Sequence, residues 1–129
     1  MQRSRPVFVA ITLGYGAVLA GLGFVEWGDT GEVSWYWAVI AFIPLGLLLQ
    51  LALGPRRWWA AIAFGVLGAA WIEAAQAIWM PLGYGRVEDA AWASLGVVVG
   101  VIVGAMVLRS MRSHESFRIV AESGGREIP

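Results

Sequence analysis

Four apolar stretches, residues 7–25, 35–53, 58–80 and 90–108, leave this chain little choice of fold. Each is about 19 residues or longer, and a helix of that length rises roughly 28 Å, close to the hydrocarbon thickness of a bilayer. Inside lipid a backbone must satisfy its own hydrogen bonds, which a helix does. The 129 residues are 59% hydrophobic and 14% charged, against about 25% charged in a soluble domain. The chain therefore reads as all-α, an integral membrane four-helix bundle over residues 1–109. The tail 110–129 is polar, rich in Ser and Gly, and expected to be disordered beyond a short helical extension. The first stretch is too long for a signal-peptide core, and no A-x-A pattern closes it, so it is read as a retained helix.

Arginine supplies every basic side chain, and the arginines sort by side. Arg3 and Arg5 precede the first stretch, Arg56 and Arg57 separate the second from the third, and Arg109, Arg112, Arg118 and Arg126 follow the fourth. The remaining loops hold Arg86 with the acids Glu26, Asp29, Glu32, Glu88 and Asp89. The positive-inside rule then places both termini in the cytoplasm and the Arg86 loop outside. Trp27, Trp35, Tyr36, Trp37, Trp79, Tyr84 and Trp92 mark the outer interface, and Trp58 and Trp59 the inner one. Trp71 lies mid-helix and is expected to pack in the core.

Several chemistries are excluded. Cysteine is absent, which removes disulfides and Cys-ligated metal or Fe–S centres. The single His114 has no second imidazole, so neither a metal site nor a cofactor is expected. There is no HExxH, no phosphate loop and no nucleophile beside a base; Ser94 has no His near it in sequence. The zero net charge calls for no nucleic acid.

Within the third stretch stands Glu73, followed by Gln76. A carboxylate near the centre of a membrane helix costs roughly 2.5–3.5 kcal/mol on insertion scales, and such residues are functional candidates. Three residues apart, the two side chains point the same way. The small residues Ala61, Gly65 and Ala69 recur every four positions and lead into Glu73 and Ala77, which directs Glu73 toward a packed face. Gly96, Gly100 and Gly104 make a matching stripe on the fourth helix. Pro44 should kink the second helix and free a carbonyl near Ile40, while Gln50 is expected to satisfy itself at the interface. Counting residues puts Glu73 roughly 10 Å below the outer boundary. Two readings stay open. Glu73 and Gln76 form the floor of a crevice rimmed by Arg86, Glu88 and Asp89, or they lock the third and fourth helices together by hydrogen bonds. Asp89 suits the start of the fourth helix.

Taken in order, Phe42-Ile43-Pro44-Leu45-Gly46, Glu73-Ala74-Ala75-Gln76, Gly85-Arg86, Asp89, Gly96 and Gly100 resemble the VanZ-like family, over about residues 37–106. That family commonly reads F-x-P-x-G, then E-x-x-Q, then a G-R…D-x-x-x-N-x-x-G-x-x-x-G segment. Here Ala93 and Ala38 stand where the family usually has Asn. Because the segment after Arg86 is short, either Glu88 or Asp89 corresponds to the family acid. The resemblance implies a multi-pass protein of the bacterial cytoplasmic membrane, in a family with a member that gives resistance to the glycopeptide teicoplanin.

The reading that follows is a non-enzymatic membrane protein. It would act at the outer leaflet on envelope lipids, an envelope precursor or amphipathic antibiotics, and alter susceptibility to them. A small proton-coupled transporter using Glu73 and a structural subunit, assembled with its own copies or a membrane partner through the glycine faces, are the alternatives.

Overall fold

The computed structural model describes residues 5–25, 35–80 and 85–123, with the backbone alone for 114–123. Its elements are α1 (Arg5–Gly23), α2 (Trp35–Leu53), a 3-10 turn (Pro55–Arg57), α3 (Trp58–Trp79) and α4 (Val87–Ser123). All four helices are long and apolar enough to cross a membrane. Helix α4 starts at Val87 and continues to Ser123, so the helical extension expected beyond residue 109 runs that far. Arg3, Glu26, Trp27, Asp29, Glu32, Tyr84, Arg126 and the turn 81–84 lie outside the described residues, as do the side chains of His114 and Arg118.

Helices α2 and α4 make the most extensive contact in the bundle. A Cβ added at Gly96 would overlap the carbonyl oxygen of Val39, and one at Gly100 that of Ile43. At Gly104 it would meet Cβ of Gln50 at 2.9 Å. Positions rise together along both helices, so α2 and α4 run parallel. Gly46 returns the contact, since a Cβ there would overlap the carbonyl oxygen of Val97. Apolar helices in lipid gain little from burying leucine against leucine, so this close backbone approach is what holds them. Carbonyl oxygens set against glycine Cα positions add weak Cα–H···O attraction.

Helix α3 packs antiparallel on α4 through the small-residue stripe. Ala61, Gly65 and Ala69 are buried, and a Cβ at Gly65 would overlap the Val97 side chain. The centre is Ala61, Val97 and Val101, with Phe42, Leu49, Leu53 and Ile62 packed around it. The stripe does not stay buried to its end. A helix turns 100° per residue, so each four-residue step drifts about 40°. Glu73 accordingly sits at the edge of the packed face, partly buried, and Ala77 is exposed. Trp71 departs from expectation for the same reason. Two residues beyond Ala69, it points about 200° away and is 74% exposed toward the surroundings of the bundle.

Pro44 lies inside α2. The polar partner appears one residue later than expected, where Tyr15 of α1 donates its hydroxyl to the carbonyl of Ala41 at 2.7 Å. Gln50 also departs from expectation. It is fully buried rather than interfacial. Its Nε2 donates to the Gly54 carbonyl at 3.3 Å, and Oε1 has no hydrogen-bond partner. An unmet buried acceptor costs roughly 1–3 kcal/mol, and an apolar group of the same shape removes that cost. Gln50→Met is thus expected to leave thermal stability in detergent unchanged or raised. A clear fall in melting temperature would show that the amide is being used.

Candidate functional site

Five polar residues from the sequence gather where α3 ends and α4 begins. Gly85 and Arg86 lead into α4, and Gly85 has φ +75°. Its Cα rests on the last turns of α3. A Cβ there would lie 2.5 Å from the Ala77 nitrogen and 2.7 Å from the Glu73 carbonyl oxygen. Only glycine fits both that dihedral and that contact. The approach brings the backbone N–H of Arg86 to Glu73, where it donates to Oε2 at 3.0 Å. Arg86 immediately precedes α4, so this N–H is among the donors that the helix cannot satisfy internally. The carboxylate therefore caps α4 from a neighbouring helix, and it sits at the positive end of the α4 dipole.

The Arg86 guanidinium meets a different partner. Its Nη2 lies 2.9 Å from Glu88 Oε2, both side chains being exposed. Exposed pairs of this kind contribute little to stability, about 0–1 kcal/mol. Glu88 and Asp89 occupy the first turn of α4, where negative charge suits the helix dipole. Asp89 stands beyond the capping position, because the Arg86 carbonyl already accepts from the Asp89 N–H at 3.0 Å.

Gln76 turns away from this group. Its Nε2 donates to the carbonyl of Gly23, at the end of α1. Glu73 and Gln76 thus share an origin on α3 but serve two neighbours: the carboxylate ties α3 to α4, and the amide ties α3 to α1. Aromatic pairs flank the same end of the bundle. Trp35 and Trp92 have ring centroids 5.0 Å apart across α2 and α4, and Phe24 and Trp79 lie 6.4 Å apart across α1 and α3.

The arrangement sets three carboxyl groups at the start of α4: Glu73 on the Arg86 N–H, Glu88 on the Arg86 guanidinium and Asp89 in the first turn of the helix. It holds no serine poised for attack. Ser94 Oγ donates to the Ala90 carbonyl in its own helix at 2.6 Å, an ordinary intrahelical bond. Among the described residues no group of His, Asp and Glu is placed to hold a metal ion. Ala93, standing where an amide was expected, is 2% exposed.

The family model described as VanZ/LLP1 matches residues 10–109. The chain belongs to the VanZ/LLP1 family. No curated protein and no solved structure matches it significantly. The VanZ/LLP1 match takes in α2 and α3 whole, parts of α1 and α4, and the polar group from Glu73 to Asp89. Sequence reasoning missed Tyr15, the backbone role of Arg86 and the fold-back at Gly85. The glycine directly before Arg86 and the acidic first turn was a usable signal for the last of these, since a helix entry that doubles back on its predecessor calls for a left-handed residue.

Proposed function

We propose that this VanZ/LLP1 protein is non-enzymatic and lies in the bacterial cytoplasmic membrane with both termini inside. It would act at the outer leaflet on envelope lipids or amphipathic glycopeptide antibiotics and so alter susceptibility to them. The orientation rests on the arginines. Arg5 lies beside Gly54, and Pro55, Arg109 and Arg112 border one groove, so the basic residues gather at the end opposite Glu73, as the positive-inside rule requires of a cytoplasmic face.

One observation carries the functional reading. A partly buried carboxylate within a membrane-type helix, Glu73, is bonded to the backbone N–H of Arg86. It is thereby fixed at the start of α4, where the Arg86 guanidinium pairs with Glu88 and Asp89 completes the acidic first turn. Such a surface can engage the amines, hydroxyls and phosphates of an amphiphile whose apolar part remains in the bilayer. Proton transfer across a single copy is less well supported. From Glu73 inward the interior passes through Ala69, Gly65 and Val97 to Ala61 and Val101, an apolar path.

The test compares teicoplanin susceptibility in a sensitive Gram-positive host carrying empty vector, wild type, Glu73→Ala, Glu73→Gln or Arg86→Ala at matched membrane abundance. Wild type is expected to protect, and Glu73→Ala and Arg86→Ala to lose protection. Glu73→Ala also removes the acceptor for the Arg86 N–H and should cost about 1.5–3 kcal/mol of stability. Glu73→Gln keeps an acceptor while removing the charge, so a stable but inactive Gln variant places the function in the carboxylate. No protection by abundant wild type sinks the proposal. Unchanged protection and stability in Glu73→Gln would remove Glu73 from it.

A further inference from the structure

The opposite end of the bundle carries a second feature, independent of the Glu73 group. A groove of about 580 Å³ opens between α3 and α4. Ile62, Val98, Val101 and Ala105 line its length, and Trp58, Arg109 and Arg112 stand around its end. It forms because the α3–α4 contact is tight at Gly65 and Val97, whereas toward the arginines the small Ala105 leaves the space between the helices open.

Three observations identify what fits. First, Arg109 and Arg112 are three residues apart on one helix, so both guanidinium groups lie on the same face. Arg56 and Arg57 follow in the 3-10 turn at the same end, both exposed. Second, the acids whose side chains are described, Glu73, Glu88 and Asp89, lie toward the other end, while at the groove's end of the chain Arg5, Arg56, Arg57, Arg109, Arg112 and Arg118 outnumber Glu115 and Glu122. That end therefore carries a net positive charge. Third, a guanidinium binds phosphate oxygens through paired N–H donors, and basic pockets between membrane helices take anionic headgroups. The bundle supplies its own comparison. A groove of about 370 Å³ bordered by α1, α2 and α3 is lined by such residues as Leu13, Leu45 and Phe64, with no charged side chain. It can hold acyl chains but has nothing to choose between headgroups.

We infer that the α3–α4 groove seats one anionic phospholipid. Its phosphate lies against Arg109 and Arg112, and an acyl chain runs along Val98, Val101 and Ala105. Trp58, 55% exposed, marks the headgroup level.

The test uses the full chain in detergent, with bound lipid counted by native mass spectrometry after exposure to equimolar phosphatidylglycerol and phosphatidylcholine. Wild type is expected to retain phosphatidylglycerol with about a thirtyfold preference, the scale set by two arginines at a membrane surface. Arg109→Gln with Arg112→Gln should reduce this to near parity. Ala105→Phe fills the groove but keeps both arginines, and should lose the lipid as well. Gly14→Ala, on α1 where an added Cβ meets nothing within 4 Å, should change nothing. Melting temperatures equal to wild type confirm that the arginine variants are folded. A preference that survives the double arginine variant overturns the proposal. So does full retention by folded Ala105→Phe, which would reveal a charged surface without a seat. Displacement by an equal concentration of glycerol phosphate would show a headgroup site with no acyl slot, and would overturn it too. Occupation of the groove by a co-purifying polypeptide in place of lipid would do the same.

Discussion

Gly100→Leu is expected to abolish the folded bundle. Gly100 sits where α4 crosses α2, and a single Cβ there would overlap the Ile43 carbonyl oxygen. The same Cβ would lie 2.8 Å from the Leu47 nitrogen and 3.0 Å from the Gly46 Cα. These neighbours are backbone atoms, so no side chain can swing aside to relieve them. The helices would have to separate, and separation would break the contacts at Gly96 and Gly104 in the same row. Gly100→Ala already calls for overpacking of the kind that costs about 1–3 kcal/mol, and leucine adds a branched side chain to the same space. The expected result is a strongly lowered melting temperature in detergent for alanine and no monodisperse protein for leucine. Gly14→Ala and Gly21→Ala are the controls, because a Cβ at either position meets nothing within 4 Å. Their stability should match wild type. If Gly100→Leu instead yields protein of normal stability, the α2–α4 contact cannot be the centre of the fold.

How far such features could be seen in advance depended on which physical rule governed them. The four helices followed from apolar length, because the bilayer fixes how much chain a helix needs. The glycine row on α4 followed from spacing, since only small residues allow backbones so close. Side-chain direction at the edges did not follow as well. The row from Ala61 through Ala69 was buried as expected, but the drift of a four-residue step carried Glu73 to the margin and Ala77 outside. Trp71 illustrates a related error. Large aromatics bury in soluble cores, whereas in a small membrane bundle the interior is filled by Ala61, Gly65 and Val97 and has no room for an indole. Gln50 was misplaced for the opposite reason. Its position near the helix end suggested water, but the approach of Gly104 covers it.

The bonds of the candidate site were not legible in the sequence. Glu73 and Arg86 meet between α3 and α4, Arg86 pairs with Glu88, and Gln76 turns instead to α1. Sequence alone had no means of assigning the Glu73 partner to a backbone N–H, because that depends on how the chain re-enters α4. Gly85 decides the matter. With φ +75°, it lets Arg86 turn back onto α3, and every polar contact from Glu73 to α4 depends on this geometry.

Gly85→Ala should therefore dismantle the site without altering any of its side chains. A left-handed dihedral costs a residue with a Cβ roughly 1–2 kcal/mol. The new atom would also sit 2.5 Å from the Ala77 nitrogen and 2.7 Å from the Glu73 carbonyl oxygen, adding an overpacking cost of about 1–3 kcal/mol. Together these come to about 2–5 kcal/mol, against about 1.5–3 kcal/mol for one hydrogen bond from Arg86 to Glu73 when the acceptor is charged. The segment should lift from α3, the Arg86 N–H should leave the carboxylate, and α4 should lose its external cap. Melting temperature in detergent is expected to fall, and hydrogen exchange at the Arg86 amide to quicken. Any protection against glycopeptide should vanish although Glu73 and Arg86 are both present. Gly85→Asn separates the two causes. Asparagine tolerates the left-handed region better than alanine but carries the same Cβ into the same space. Equal damage from Ala and Asn identifies the contact with Ala77 and Glu73 as decisive, and milder damage from Asn identifies the dihedral. Slow amide exchange at Arg86 and wild-type stability in Gly85→Ala would mean that the fold-back does not hold the site together.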